Sequence, residues 1–179
     1  AKLHADDPRI TAECKDCESN NWSEKDLFYV IGTVNNNKLK CLTFVQGTCY
    51  AAEHNYYYKI LGKLKTNIES VMASLNLNKG RTKELGRVKN ADPLGISELR
   101  IRGVWIIDNP INVFKKEITL HENKFNLFAI MEKSKYNSYP REDIGELESN
   151  ASISVKDIEI RDPNNAKGKI AAVLVSYQK

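Results

Sequence analysis

The stretch "CYAAEHNYYYKILGKLKTNIESVMASL", residues 49–75, decides the fold, because it is long enough for periodicity to separate helix from strand. Tyr50, His54, Tyr57, Leu61, Leu64, Ile68, Val71 and Leu75 recur at alternating steps of four and three, which traces one continuous face of an α-helix. Thr48 is the expected N-cap, and Asn78 and Gly80 the expected stop. On this reading His54, one of three histidines, lies on the packed stripe and its ring serves the core. The opposite face carries Lys59, Lys63 and Thr66 beside Gly62, flanked by Tyr56 and Tyr58. Such a face is either solvated or partner-binding, since a tyrosine joins an apolar ring to a polar tip.

Working outward, residues 1–25 read as an irregular N-terminal segment, tied down by Trp22, and residues 26–179 as a single α+β domain. "DLFYVIGTV" and "KLKCLTFVQ" form a hairpin around "NNN", where asparagine tolerates the left-handed backbone of a tight turn. Downstream of the helix, residues 76–97 read as a long basic loop carrying Lys79, Arg81, Lys83 and Arg87. "ELRIRGVWII", "FKKEITL" and "KFNLFAIMEK" read as strands, "SKYNSYPREDIGELESN" as a loop, and "SISVKDIEI" with "KIAAVLVSY" as a final strand pair. Short connections throughout imply antiparallel pairing. The expected architecture is one long amphipathic helix packed on an antiparallel sheet of about five to seven strands.

Composition narrows the function. With 41% hydrophobic and 28% charged residues the chain is globular, and no apolar run is long enough to span a membrane as a helix. The net charge of +4, from 27 basic and 23 acidic residues, reads as spread along the whole chain, which permits an anionic partner without demanding one. The chain begins at Ala1 without methionine, which reads as removal of an N-terminal segment and favours export. Cys14, Cys17, Cys41 and Cys49 are candidates for two disulfides in an oxidising compartment. Free thiols, a stretched zinc site and a redox "CKDC" are the alternatives, the last two lacking the usual spacing or setting.

No catalytic constellation stands out. There is no G-x-S-x-G nucleophile, no phosphate-cradling glycine loop and no H-E-x-x-H. A chymotrypsin-like reading of "TCYAAEH" fails because a glutamate interrupts it and a helix follows. The sequons at Asn21 and Asn150 matter only on a eukaryotic secretory route. No metal, cofactor or catalytic residue is assigned.

The order of elements, from "NNWSEKDLFYVIGTV" through the long helix to "LRIRGVWIIDNP" and "KFNLFAIMEKSK", resembles the domain of the LPP20 and FlgT-like bacterial envelope lipoproteins over residues 22–135. The chain departs from that pattern in its four cysteines, its tyrosine-rich helix and its extra C-terminal strand pair. The resemblance implies an exported (periplasmic, outer-membrane-associated or secreted), non-catalytic assembly component that recognises a protein or cell-envelope partner. The surface expected to do so comprises Tyr56, Tyr58, Lys59, Lys63, Lys79, Arg81, Lys83 and Arg87. The alternatives are an exported enzyme or toxin-like hydrolase using His54 or His121, and a nucleic-acid-binding domain.

Overall fold

A computed structural model describes the backbone of residues 2–4, 13–15, 22–24, 27–82, 84–122 and 124–178, and their side chains from residue 27 onward except those of His54, Asn55 and Gln178. Cys17, Lys83, Asn21 and the side chains of Cys14 and Trp22 therefore lie outside the described part. The elements are β1 (Lys2–His4), β2 (Glu13–Lys15), β3 (Trp22–Glu24), β4 (Phe28–Asn35), β5 (Lys38–Gln46), a 3-10 turn (Gly47–Cys49) and α1 (His54–Ser74). They continue with β6 (Gly86–Lys89), β7 (Glu98–Ile101), β8 (Val104–Ile106), α2 (Pro110–Val113), β9 (Asn126–Glu132), α3 (Lys133–Tyr136), α4 (Arg141–Ser149), β10 (Ile153–Asp162) and β11 (Asn165–Gln178). The class is α+β, in two compact units: residues 8–53 with 108–179, and residues 2–7 with 54–107.

The first unit is built on a five-stranded sheet in the order β10-β11-β9-β5-β4. Both expected hairpins form. Asn36 and Asn37 take φ of 50° and 59° between β4 and β5, the pair of left-handed residues that a two-residue hairpin turn needs. The sheet is mixed, which corrects the all-antiparallel expectation: β5 and β9 pair in parallel, Val45 beside Ile130. A parallel pair needs a long crossover, and residues 47–125 supply one. Apolar residues crowd β9 and β11 because both faces of these central strands are covered. Phe128, Ile130, Ala172 and Leu174 join Val45, Cys41 and Cys49 on one face, while Met131, Val173 and Val175 join Tyr136 on the other.

Two expected features of this unit are replaced, the first by a turn after a short helix and the second by two helices. "FKKEITL" follows α2, where Asn109 accepts the Ile111 N–H at 3.0 Å and Pro110 stands at the first turn. Its Phe114 and Ile118 are then buried together at helical spacing, with the Ile118 N–H donating to the Phe114 carbonyl at 2.9 Å. The expected loop at 134–150 holds α3 and α4, and Glu142 and Asp143 sit in the first turn of α4 where the helix dipole favours them. Ile144 and Leu147, three apart, pack on the Met131–Tyr136 cluster. Residues 1–25, expected to be irregular, contribute β1, β2 and β3.

In the second unit α1 begins at His54, later than Thr48 suggests. Tyr50 belongs to the first unit, where its ring packs 5.2 Å from Tyr29 and 6.2 Å from Phe114 and its hydroxyl donates to the Asp108 carbonyl. The helix ends at Asn76, whose φ is 54°; the Asn76 N–H donates to Ala73 and the Leu77 N–H to Met72, a Schellman cap. The sheltered row of α1 is Tyr57, Leu61, Lys65, Ile68 and Met72. Leu64, Val71 and Leu75 are 45%, 56% and 62% exposed, so of the apolar stripe read from the sequence only Tyr57, Leu61 and Ile68 lie on the sheltered row. The expected loop at 76–97 contains β6, paired antiparallel with β7, and a bridge between Lys79 and Val88. Gly86 is required by proximity: a Cβ there would lie 2.9 Å from Ile68 Cγ2. The expected single strand at 98–107 breaks at Arg102 and Gly103, after which β8 pairs with β1.

Candidate nucleic-acid interface

Charge is not spread evenly. Residues 54–107 hold ten Lys and Arg against four Asp and Glu, a net +6, which leaves the rest of the chain at −2 out of the total of +4. A basic excess confined to one segment is the electrostatic footprint of a polyanion-binding surface.

Within that segment two kinds of cation are present. The β6–β7 hairpin is internally neutralised. Arg87 grips Glu98 with two hydrogen bonds of 2.8 Å, Arg100 grips Glu84 at 2.8 and 3.0 Å, and Arg102 reaches Glu84 at 2.6 Å. Lys79 is tied to Glu69 on α1 at 2.9 Å. Arg87 and Arg100 stand opposite each other in register, so the glutamates also relieve a like-charge pair. Hydrogen bonds from Arg100 and Arg87 hold Glu84 and Glu98 respectively below the ordinary value of 4.5. A lowered carboxylate contributes stability that is complete above that ordinary value and lost as the pH falls through the lowered one, so the hairpin loosens only in acid.

The outer face of α1 is different. Tyr56, Lys59, Gly62, Lys63, Thr66 and Ser70 fall within about one third of the helix circumference at 100° per residue, and all are exposed. Lys59 and Lys63 enter none of the ion pairs among the described residues. Thr66 and Ser70 donate back to the carbonyls of Gly62 and Thr66 at 3.1 and 3.0 Å, which fixes their oxygens on this face. At Gly62 an added Cβ would meet nothing within 4 Å, so packing does not demand the glycine although it costs a mid-helix position about 1 kcal/mol. Tyr58 is exposed on the other flank, and Arg81 is exposed before the hairpin with its carbonyl accepting from Arg87.

A second arrangement lies in the β2–β3 hairpin, which pairs Glu13 with Glu24 and Lys15 with Trp22. Two acids are thus directly opposite, with a lysine two residues along. Like charges in register destabilise a strand pair; in β10–β11 the like pair of Arg161 and Lys169 is relieved by a diagonal ion pair from Lys169 to Glu159 at 2.8 Å. The E-x-K spacing inside "TAECKDCE" was visible in the sequence and went unread there. Among the described residues no three His, Cys, Asp or Glu side chains converge as metal ligands do.

Cys41 and Cys49 are free thiols buried in the core of the first unit. Burial, with a smaller push from Glu132, raises the Cys49 thiol to about 12. Both should resist alkylation at pH 8 in the native protein and react fully in denaturant without reductant. Mass spectrometry checks this, and a requirement for reductant would show a bridge instead. His121 lies in a turn of the first unit, and His54 opens α1 in the second.

The sequence model of the NgoPII restriction endonuclease family matches residues 1–161. The type II restriction enzyme NgoPII of Neisseria gonorrhoeae is 38% identical over 179 residues, covering 99% of this chain and 63% of that enzyme. The chain thus spans less than two thirds of that relative's length. No solved structure matches. These findings overturn the envelope-lipoprotein resemblance, and with it the exported placement and the protein or cell-envelope partner. The non-catalytic reading falls as well, since the matched family is one of enzymes. Element order misled because a hairpin, a long helix and further strands are common to unrelated folds.

Proposed function

The chain belongs to the NgoPII restriction endonuclease family, and from that premise we propose that it binds double-stranded DNA through residues 54–107 and hydrolyses phosphodiester bonds at the β2–β3 hairpin. The observation that carries the binding half is the net +6 of that segment together with the open cationic face of α1. A helix of α1's width fits the major groove, where lysines meet phosphates and small or hydroxyl residues approach the base edges. Gly62 then has a reason to be glycine, because it lets DNA come close to the helix backbone.

The hydrolytic half rests on the chemistry the reaction requires. Water attacks phosphorus, the new P–O bond forms as the bond to the leaving oxygen breaks, and negative charge builds on the non-bridging oxygens. A carboxylate orients the water and takes its proton, a cation stabilises the charge on the non-bridging oxygens, and the leaving oxygen takes a proton from solvent. Glu13 with Glu24 and Lys15 supplies the carboxylate and the cation within two register steps.

Binding is tested by fluorescence anisotropy with duplex DNA over a range of salt. Lys59→Gln with Lys63→Gln should lower affinity and reduce the magnitude of the log-log salt slope by about two, at roughly 0.9 per phosphate contact. Gly62→Ala should raise the melting temperature, since helix propensity improves by about 1 kcal/mol, while weakening DNA binding. An unchanged slope in the lysine double variant, with DNA still bound, would place the contact elsewhere.

A further inference from the structure

The five-stranded unit contains an open cleft of about 590 Å³, lying wholly within residues 117–176. We infer that this cleft is a phosphate-binding site, and that in the DNA complex it holds a backbone phosphate. The second half rests on the proposed function; the first does not. Three adjacent strands build the floor. Ser154 of β10, Ser176 of β11 and Phe128 of β9 lie side by side in register, and the next row sets Lys156 beside Leu174. Phe128 and Leu174 are core residues that underlie the cleft, while its surface is mostly polar and carries Ser154 and Lys156 of β10 with Ser176 of β11.

The opposite wall carries His121 and Lys124, the Lys124 N–H donating to the His121 carbonyl at 3.2 Å, and a buried amide holds them. Asn126 is 3% exposed. Its Oδ1 accepts the His121 N–H at 3.0 Å, and its Nδ2 donates to the carbonyls of His121 and Lys124 at 3.0 and 2.9 Å. This brace fixes the backbone that presents His121 and Lys124 to the cleft. The lining thus offers Lys124, Lys156 and His121 with the hydroxyls of Ser152 and Ser154, Ser176 Oγ donating to the Ser154 carbonyl at 3.5 Å, against one carboxylate, Glu117. Donors and positive charge exceed acceptors and negative charge, as a phosphate requires, and lysine serves there as a point charge. The volume falls in the range of small-ligand sites, enough for a nucleotide-sized group.

The test is a double variant, Lys124→Gln with Lys156→Gln, both at exposed positions that leave the fold intact. Inorganic phosphate is titrated into isotope-labelled protein, and the backbone amides of Ser154, Ser176 and Lys124 are followed by NMR. Saturable shifts at these amides in the parent, abolished in the double variant, are the expected result. Glu117→Gln should tighten phosphate binding severalfold. In parallel, DNA affinity is measured against salt, where a slope reduced by about two identifies the phosphate as one of the DNA backbone. Lost phosphate shifts with an unchanged DNA slope would keep the site and assign it to a free phosphate or nucleotide. Failure of the parent to bind DNA would remove the proposed function while leaving the phosphate titration decisive. Absence of saturable shifts together with an unchanged slope overturns the inference.

Discussion

Glu13→Gln should lower DNA cleavage by a factor of about 10²–10⁴, the usual contribution of a positioned acid or base, with DNA affinity near that of the parent and a melting temperature no lower than the parent's, since removing either acid relieves the like-charge pair. The substitution keeps size and shape and removes the charge, so a selective loss of cutting reports chemistry. Lys15→Gln should cost roughly 10²–10³ for the same reason, since a cation aimed at developing charge acts in the transition state more than in binding. Glu24→Gln separates the two roles a paired acid can play. If Glu24 only repels Glu13 across the hairpin register, its neutralisation raises stability and leaves cutting intact; if it shares the reaction, cutting falls while stability still rises. Single-turnover cleavage of supercoiled plasmid at saturating enzyme gives these rates directly. A Glu13→Gln protein that cuts at the parental rate would remove the hairpin from the reaction.

How far the sequence could be read depended on which physical signal each segment carried. The hairpins at 28–46 and 153–178 were legible because alternation and turn asparagines act locally. The parallel β5–β9 pair was not, because nothing in either strand encodes a partner separated by residues 47–125. α4 was hidden by its polarity: only Ile144 and Leu147 face the core, too few to register as a period. Cys41 and Cys49 fitted a disulfide pattern by number, yet they occupy ordinary core positions where a thiol behaves as a small apolar group. The basic excess of residues 54–107 was legible and was missed by summing over the whole chain, where the acidic remainder masks it. Glu13 and Lys15 could be seen only as an isolated E-x-K, and their pairing with Glu24 and Trp22 needed the fold.

The shift between the stripe read from the sequence and the row that α1 shelters gives the sharpest stability contrast. Ile130 is fully buried in β9, flanked in register by Val45 of β5 and Leu174 of β11. Ile130→Ala should therefore cost about 2–5 kcal/mol, toward the upper end because the strands on both sides are themselves held and the cavity cannot collapse. Leu64 lies on the stripe that periodicity selects for the core, yet it is 45% exposed. Leu64→Ala should consequently change stability by only about 0.5 kcal/mol, since alanine recovers in helix propensity part of what the lost contact removes. Denaturant melts of the two variants decide the matter, with an unchanged slope required so that the midpoint shift reads as free energy. Equal losses would mean that Leu64 is covered in solution by something other than the residues described. A loss confined to Ile130 would place the stable core in the sheet and leave the exposed apolar row of α1 free of any structural duty.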